Sequence, residues 1–250
     1  MSTVQSIDRA FLILSSLAEK PGGISELSRR IDLPTSTVAR LLSALEGSKV
    51  VERSKQGYEY QLGPKIMQLV TKANPGQALL SLARPFMVNL VDQLFEDVGL
   101  SIPTGYEVQY VGQVSCANPV QIRDWTGIRL PMHVVPSGLV VLAEWPEKAV
   151  KEFLRRHLEV YTPKTVVSHS KILERLARIR SDGFFWSYEE FSEGITSLAV
   201  PIFVENKSVV GSIHCHGPSY RFPQESTKET ITALLVASAK EISRELGYKE

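Results

Sequence analysis

Three helical periods and a hairpin are packed into the first 62 residues, and no other stretch constrains the fold as tightly. Ile7, Ala10, Phe11, Leu14, Leu17 and Ala18 recur at spacings of three and four, which predicts a helix over Ser6–Lys20. Pro21-Gly22-Gly23 ends it, because proline and two glycines extend a helix only at a penalty. Ser25 is expected to cap a second helix whose apolar stripe is Ile24, Leu27 and Ile31. Asp32-Leu33-Pro34-Thr35 is a tight turn. Thr35 or Ser36 then caps a third helix reaching about Gly47, with Val38, Leu41, Leu42 and Leu45 inward. Val50–Arg53 and Tyr58–Leu62 read as strands around Ser54-Lys55-Gln56-Gly57, where Gly57 suits a positive φ. Two short helices on a four-residue turn form a helix-turn-helix unit, and the hairpin adds a wing.

Beyond the hairpin, Pro64–Lys72 has a short helical pattern. A longer one follows through Leu79, Leu82, Phe86, Val88, Leu90, Val91 and Leu94, with a kink or a late start expected at Pro85. The remainder alternates. Leu100–Ile102, Tyr106–Val114, Val120–Arg123, Arg129–Met132, Phe184–Glu189, Ser197–Phe203 and Ser208–His214 are strand-like. Ser137–Glu144, Glu147–His157, Ser168–Ser181 and Pro223–Leu246 are helical. This predicts an α+β domain with an antiparallel sheet of five or six strands.

Composition narrows the class. At 250 residues, with 43% apolar and 22% charged residues, the chain is neither disordered nor fibrous. No apolar run approaches the roughly 20 residues that span a bilayer, Asp8 and Arg9 interrupt any leader, and two cysteines cannot build a disulfide scaffold. A cytoplasmic protein with reduced thiols and no membrane partner is expected. Residues 1–72 carry 10 Lys+Arg against 7 Asp+Glu, and the rest 18 against 20, so a weakly basic head precedes a mildly acidic body.

Residues 4–65 resemble the N-terminal domain of IclR-type transcriptional regulators through Ile7-Asp8-Arg9-Ala10, Ser25-Glu26-Leu27, Leu33–Leu42, Val51-Glu52-Arg53 and Tyr60-Gln61-Leu62-Gly63. The second half resembles that family's effector domain through Gly127–His133, Ser137-Gly138, Ile179–Phe184, Glu193–Phe203 and Gly217–Arg221. Lys49 departs from the pattern, standing where the family has glycine, and Gly138-Leu139-Val140 replaces Gly-Lys-Ala. The resemblance implies an α+β chain in which a winged helix-turn-helix (1–65) is joined by a helical linker (66–80) to a GAF/PAS-like effector and oligomerisation domain (81–250). It implies a homodimer or tetramer on double-stranded operator DNA, a small-molecule effector such as a carboxylate or aromatic acid, and no cofactor.

On that reading the recognition helix presents Thr35, Ser36, Thr37 and Arg40 to the major groove, where Arg40 can pair bidentately with guanine. Ser25 sits at a helix start suited to a phosphate, and Arg53 and Lys55 lie on the wing. The plainer alternative makes the hydroxyls helix caps and Arg40 a solvated charge. In the second half the resemblance brings Ser137, Gly138, Ser187, Ser197, His214 and His216 to the effector pocket. Ser137 is alternatively a plain N-cap and Ser197 a loop end. His214 and His216 alternate along a strand and share a face, with Cys215 opposite. They line the pocket, or form a metal site for which His133 is the obvious third ligand, or serve the core. Trp125 and Trp186 are core residues or pocket walls. No Gly-X-Ser-X-Gly elbow, phosphate loop or dinucleotide fingerprint is present, so catalysis and a resident metal are not expected. A DNA-binding protein whose second domain only oligomerises is the competing class.

Overall fold

The computed structural model describes residues 5–54, 57–66, 69 and 75–249. The chain divides into two compact units, residues 1–78 and 79–250.

The first unit holds α1 (Gln5–Glu19), α2 (Ile24–Arg30), α3 (Thr35–Gly47), β1 (Val51–Arg53) and β2 (Tyr60–Leu62). The apolar stripes meet in one small core of Ile13, Leu17, Leu27, Val38, Leu42, Val51 and Tyr60. β1 and β2 pair antiparallel from Val51↔Leu62 to Arg53↔Tyr60. Gly22 and Tyr60 exchange both backbone hydrogen bonds, at 3.1 and 2.9 Å, which ties the wing to the turn after α1. Gly57 takes φ +82° as the turn requires.

The expected caps are not used. Gly23 is the N-cap of α2 and Pro34 that of α3, neither with a side-chain bond, so Ser25, Thr35 and Ser36 are helical residues. Ser25, Thr35 and Ser36 thereby keep their hydroxyls free of capping work on the exposed first turns. Most of the helix expected over Pro64–Lys72 lies outside the described residues.

The second unit is a six-stranded antiparallel sheet in the order β5-β4-β3-β8-β7-β6. Its strands are β3 (Asp97–Thr104), β4 (Glu107–Val114), β5 (Arg129–Pro131), β6 (Phe185–Tyr188), β7 (Ile195–Phe203) and β8 (Val209–Pro218). α4 (Pro75–Leu94), which runs through Pro85, and α8 (Lys228–Glu245) cover one face. α5 (Pro136–Ala143), α6 (Glu147–Leu154) and α7 (His169–Asp182) cover the other. Period-two alternation assigns the layers: Leu198, Val200, Ile213 and Cys215 face α4 and α8, while Ala199 packs with α5. All eight residues of α5 are buried, which its apolar sequence permits on every side.

The strand expected at Val120–Arg123 does not form; β5 takes the edge beside β4. Side chains pin that segment instead. Asn118 Nδ2 donates to the Phe95 carbonyl at 2.6 Å and Arg221 Nη2 to the Val120 carbonyl at 3.0 Å. The helix expected over Glu147–His157 ends at Leu154, and the last helix starts at Lys228 rather than Pro223.

Candidate functional site

In the first unit, Thr35, Ser36 and Arg40 are exposed on α3, with Thr37 half-buried, and Val38 and Leu42 anchor the opposite face in the core. Ser25 is exposed on α2. Arg40 has no side-chain partner among the described residues, so its guanidinium is available to an external acceptor. Arg53 is engaged differently: it donates to Glu46 Oε1 at 3.2 Å and lies over the Tyr60 ring at 5.2 Å. Such an exposed ion pair is worth at most about 1 kcal/mol, so a phosphate can displace it. Lys55 lies outside the described residues.

The second unit carries a pocket between the sheet and the loop preceding β7. Cross-strand register builds its floor. Ser187, Ser197 and His216 are successive partners across β6, β7 and β8, and His216 in turn opposes Asp97 on β3. Directly opposed residues share a face, so these four side chains form one polar row. The next row sets His214 between Ala199 and Gly99. Both are small, and the ring needs that room: a Cβ on residue 99 would stand 2.2 Å from His214 Nε2. Tyr110 from β4 meets His214 edge-on at 4.7 Å, and the two imidazoles stack at 5.9 Å. Trp125, in edge contact with Phe191 at 5.3 Å, completes a wall. The cavity volume of the pocket is about 30 Å³.

Four strap contacts hold the loop over it. Arg175 Nη1 donates to Glu190 Oε2 at 2.6 Å, Thr162 Oγ1 to the Glu189 carbonyl at 2.7 Å, Thr165 Oγ1 to the Glu190 carbonyl at 2.6 Å, and Lys164 pairs with Glu189. Ser187 Oγ donates to Glu190 Oε1 at 3.3 Å.

The electrostatics are those of a buried site. His214 and His216 are 1% and 4% exposed. Neither ring nitrogen of His214, nor Nε2 of His216, has a hydrogen-bond partner among the described residues. Burial drives both rings toward the neutral form. His214 is held well below its usual value, and His216 falls to about 4 although the Asp97 carboxylate, 3.9 Å from Nε2, favours the charged form. Burial lifts the Tyr110 phenol to about 12. Among the described residues no Lys or Arg lines the pocket.

Of the residues expected here, Ser187, Ser197, His214 and His216 come together at the pocket, whereas Ser137 and Gly138 do not line it. Ser137 is fully buried in the first turn of α5, whose N-cap is Val135. Its hydroxyl meets Tyr110 Oη at 3.3 Å and its carbonyl accepts from Ser212 Oγ at 3.0 Å, so it supports the pocket from behind. Gly138 permits close packing, since a Cβ there would lie 2.4 Å from Met132 Cα. The metal triad does not assemble. His133 Nε2 contacts the Glu159 carbonyl at 2.9 Å in a separate cleft, and no group of three candidate ligands occurs among the described residues. Trp125 lines the pocket, while Trp186 is core, its indole N–H donating to Thr232 Oγ1 at 3.0 Å. Sequence reasoning missed Tyr110, Glu190, Phe191 and Ser192. The local signal was the run Glu190–Gly194 between two expected strands, polar and closed by a glycine.

A winged head followed by an antiparallel domain with a buried polar pocket defines a transcriptional regulator with a sensor domain. The chain belongs to the IclR family of bacterial transcriptional regulators: residues 6–55 match the IclR helix-turn-helix domain and residues 71–244 the bacterial transcriptional regulator IclR C-terminal domain. It is 28% identical to the transcriptional repressor IclR of Escherichia coli K12 over 249 residues, covering 98% of this chain and 90% of that one. With the repressor AllR of the same organism the identity is 31%, covering 98% and 91%. The solved structure of Thermotoga maritima IclR superposes with a TM-score of 0.66 at 26% identity, covering 98% of this chain and 100% of that one. An IclR homologue of Microbacterium hydrocarbonoxydans, solved with 4-hydroxybenzoate, shares the fold at a TM-score of 0.63 and 24% identity, covering 97% and 99%. No helix among the described residues is long and apolar enough to cross a membrane.

Proposed function

We propose that this chain is a homo-oligomeric repressor whose head binds double-stranded operator DNA and whose pocket takes a small carboxylate that alters operator affinity. Ser25, Thr35, Ser36, Thr37 and Arg40 supply base and phosphate contacts from the head, Arg53 and Lys55 contribute from the wing, and residues 66–80 act as the linker. The observation that carries the sensing half is the set of buried, partnerless ring nitrogens on His214 and His216 beside Ser187, Ser197 and Tyr110. Leaving a buried polar atom unsatisfied costs about 1–3 kcal/mol, and a ligand that accepts from the imidazole N–H groups lessens that penalty. A domain that served only to oligomerise would have an apolar core here. The repressor mode follows that of the repressors IclR and AllR of Escherichia coli, and 4-hydroxybenzoate is the first probe by analogy with the Microbacterium homologue.

A second copy is the occupant proposed for the outer face of α1, where Ile7, Phe11 and Leu12 are 53%, 65% and 49% exposed. One weakly basic head makes few phosphate contacts, and a dimer doubles them. Selection of operator DNA from a random pool, followed by fluorescence anisotropy with and without carboxylates, tests the reading. An operator affinity that no carboxylate changes removes the sensing half. A monomer by sedimentation at micromolar concentration removes the assembly.

A further inference from the structure

Among the described residues no Lys or Arg lines this pocket, and the one acid that does, Glu190, is already tied to Arg175. Burying an anion without a counter-charge is prohibitive, so a positive charge has to be made in place. Among the described residues that line the pocket, the two imidazoles are the groups able to supply it. They differ in what stands beside them. His214 is surrounded by Gly99 and Ala199 and by the Tyr110 ring, with no acid in contact. His216 has Asp97 at 3.9 Å from Nε2, and the Asp97 side chain is itself buried and oriented, its Oδ1 accepting from the Cys116 amide at 2.8 Å.

We propose that an anionic effector enters together with one proton, which is held on His216 with Asp97 as its counter-ion. This rests on the carboxylate reading above and deepens it. The proton comes from the buffer or from the acid form of the ligand. It forms one N–H bond on the neutral ring, giving an imidazolium between Asp97 and the bound anion, and nothing is oxidised or reduced. The groups facing His216 are His214 on its own strand, Asp97 from β3, Ser197 from β7, Tyr110 from β4, and Glu190 and Asp124 from the loops. Asp97 and Asp124 favour its protonation. The stacked neighbour His214 limits uptake to one proton, because two imidazolium rings 5.9 Å apart repel. Burial alone keeps the ring neutral without ligand, so a proton is taken up only as the anion arrives.

The test is isothermal titration calorimetry of the full chain with 4-hydroxybenzoate at pH 7.5 in phosphate and in Tris, whose ionisation heats differ. The expected result is an uptake close to one proton per site, with affinity falling about tenfold per pH unit between about pH 6.5 and 8.5. The neutral isostere 4-hydroxybenzamide should bind with no uptake, and Asp97→Asn and His216→Gln should reduce or abolish it. Ring-nitrogen NMR of the unmodified protein gives an independent readout, since saturating 4-hydroxybenzoate at pH 7.5 should move the His216 nitrogens to imidazolium shifts. Equal heats in the two buffers, or a neutral His216 in the saturated complex, overturn the proposal while leaving the carboxylate reading intact. An absence of binding by 4-hydroxybenzoate, benzoate, pyruvate and succinate alike removes the carboxylate reading and this proposal with it.

Discussion

Gly99 and His214 are opposed partners on β3 and β8, and the imidazole occupies the space that a side chain on residue 99 would fill. Gly99→Ala should therefore displace the ring or spread the strands, costing about 1–3 kcal/mol as overpacking of a dense core does. Thermal denaturation checks the single variant. The double variant Gly99→Ala/His214→Ala should recover most of the loss, a coupling that a general strand effect of alanine would not produce.

Stability should fall with acid in a defined window. His214 and His216 are depressed in the folded state, so below the unfolded value near 6.5 the unfolded chain binds protons that the native state refuses. The loss begins below about pH 6.5 and, for His216, levels off below about 4. Its size for His216 is on the order of 3 kcal/mol. Urea unfolding at pH 7.5 and pH 5 measures it, and His216→Gln should flatten the difference between them.

Lys49 sits at φ +60°, in the left-handed region where a side chain is strained, and joins α3 to β1. Lys49→Gly should stabilise the head by about 1 kcal/mol, the usual left-handed penalty being about 1–2 kcal/mol less some gain in unfolded-state entropy. Urea unfolding followed by a probe placed in the head reports this. A loss of stability would show that the lysine side chain makes a compensating contact.

Arg40 is exposed on α3 and has no side-chain partner among the described residues. Arg40→Ala should lower affinity for the selected operator by about 1–3 kcal/mol while changing random-sequence binding less. Equal losses on both, with a salt slope reduced by about one unit, would assign it to phosphate instead. Arg53→Ala should have the smaller effect on operator affinity, since a contact with DNA would require Arg53 to give up Glu46 and Tyr60.

The head was legible because each of its elements is a local pattern. The stripes of α1 and α3, the Pro21-Gly22-Gly23 break and Gly57 in its turn need no distant partner to be read. The strand alternation around His214, Cys215 and His216 likewise placed the two rings on one face and the thiol on the other. Helix ends were less legible, because Gly23 and Pro34 serve as caps through backbone geometry while the hydroxyls beside them stay free.

What the sequence by itself determined was the helix-and-strand order of the head and the residue types on each strand face, since period and turn chemistry act over a few residues. Only the tertiary structure decided which of those faces meet. The strand register brought Ser187, Ser197, His216 and Asp97 into one row, and put Gly99 under His214 from a strand more than a hundred positions away. It also sent His133 to the Glu159 carbonyl instead of the histidine pair, and turned Ser137 behind Tyr110. The physical reason is that hydrogen bonds and packing across a sheet depend on register and close approach between distant segments. Both are settled when the whole core is buried at once, and neither leaves a periodic trace in the local sequence.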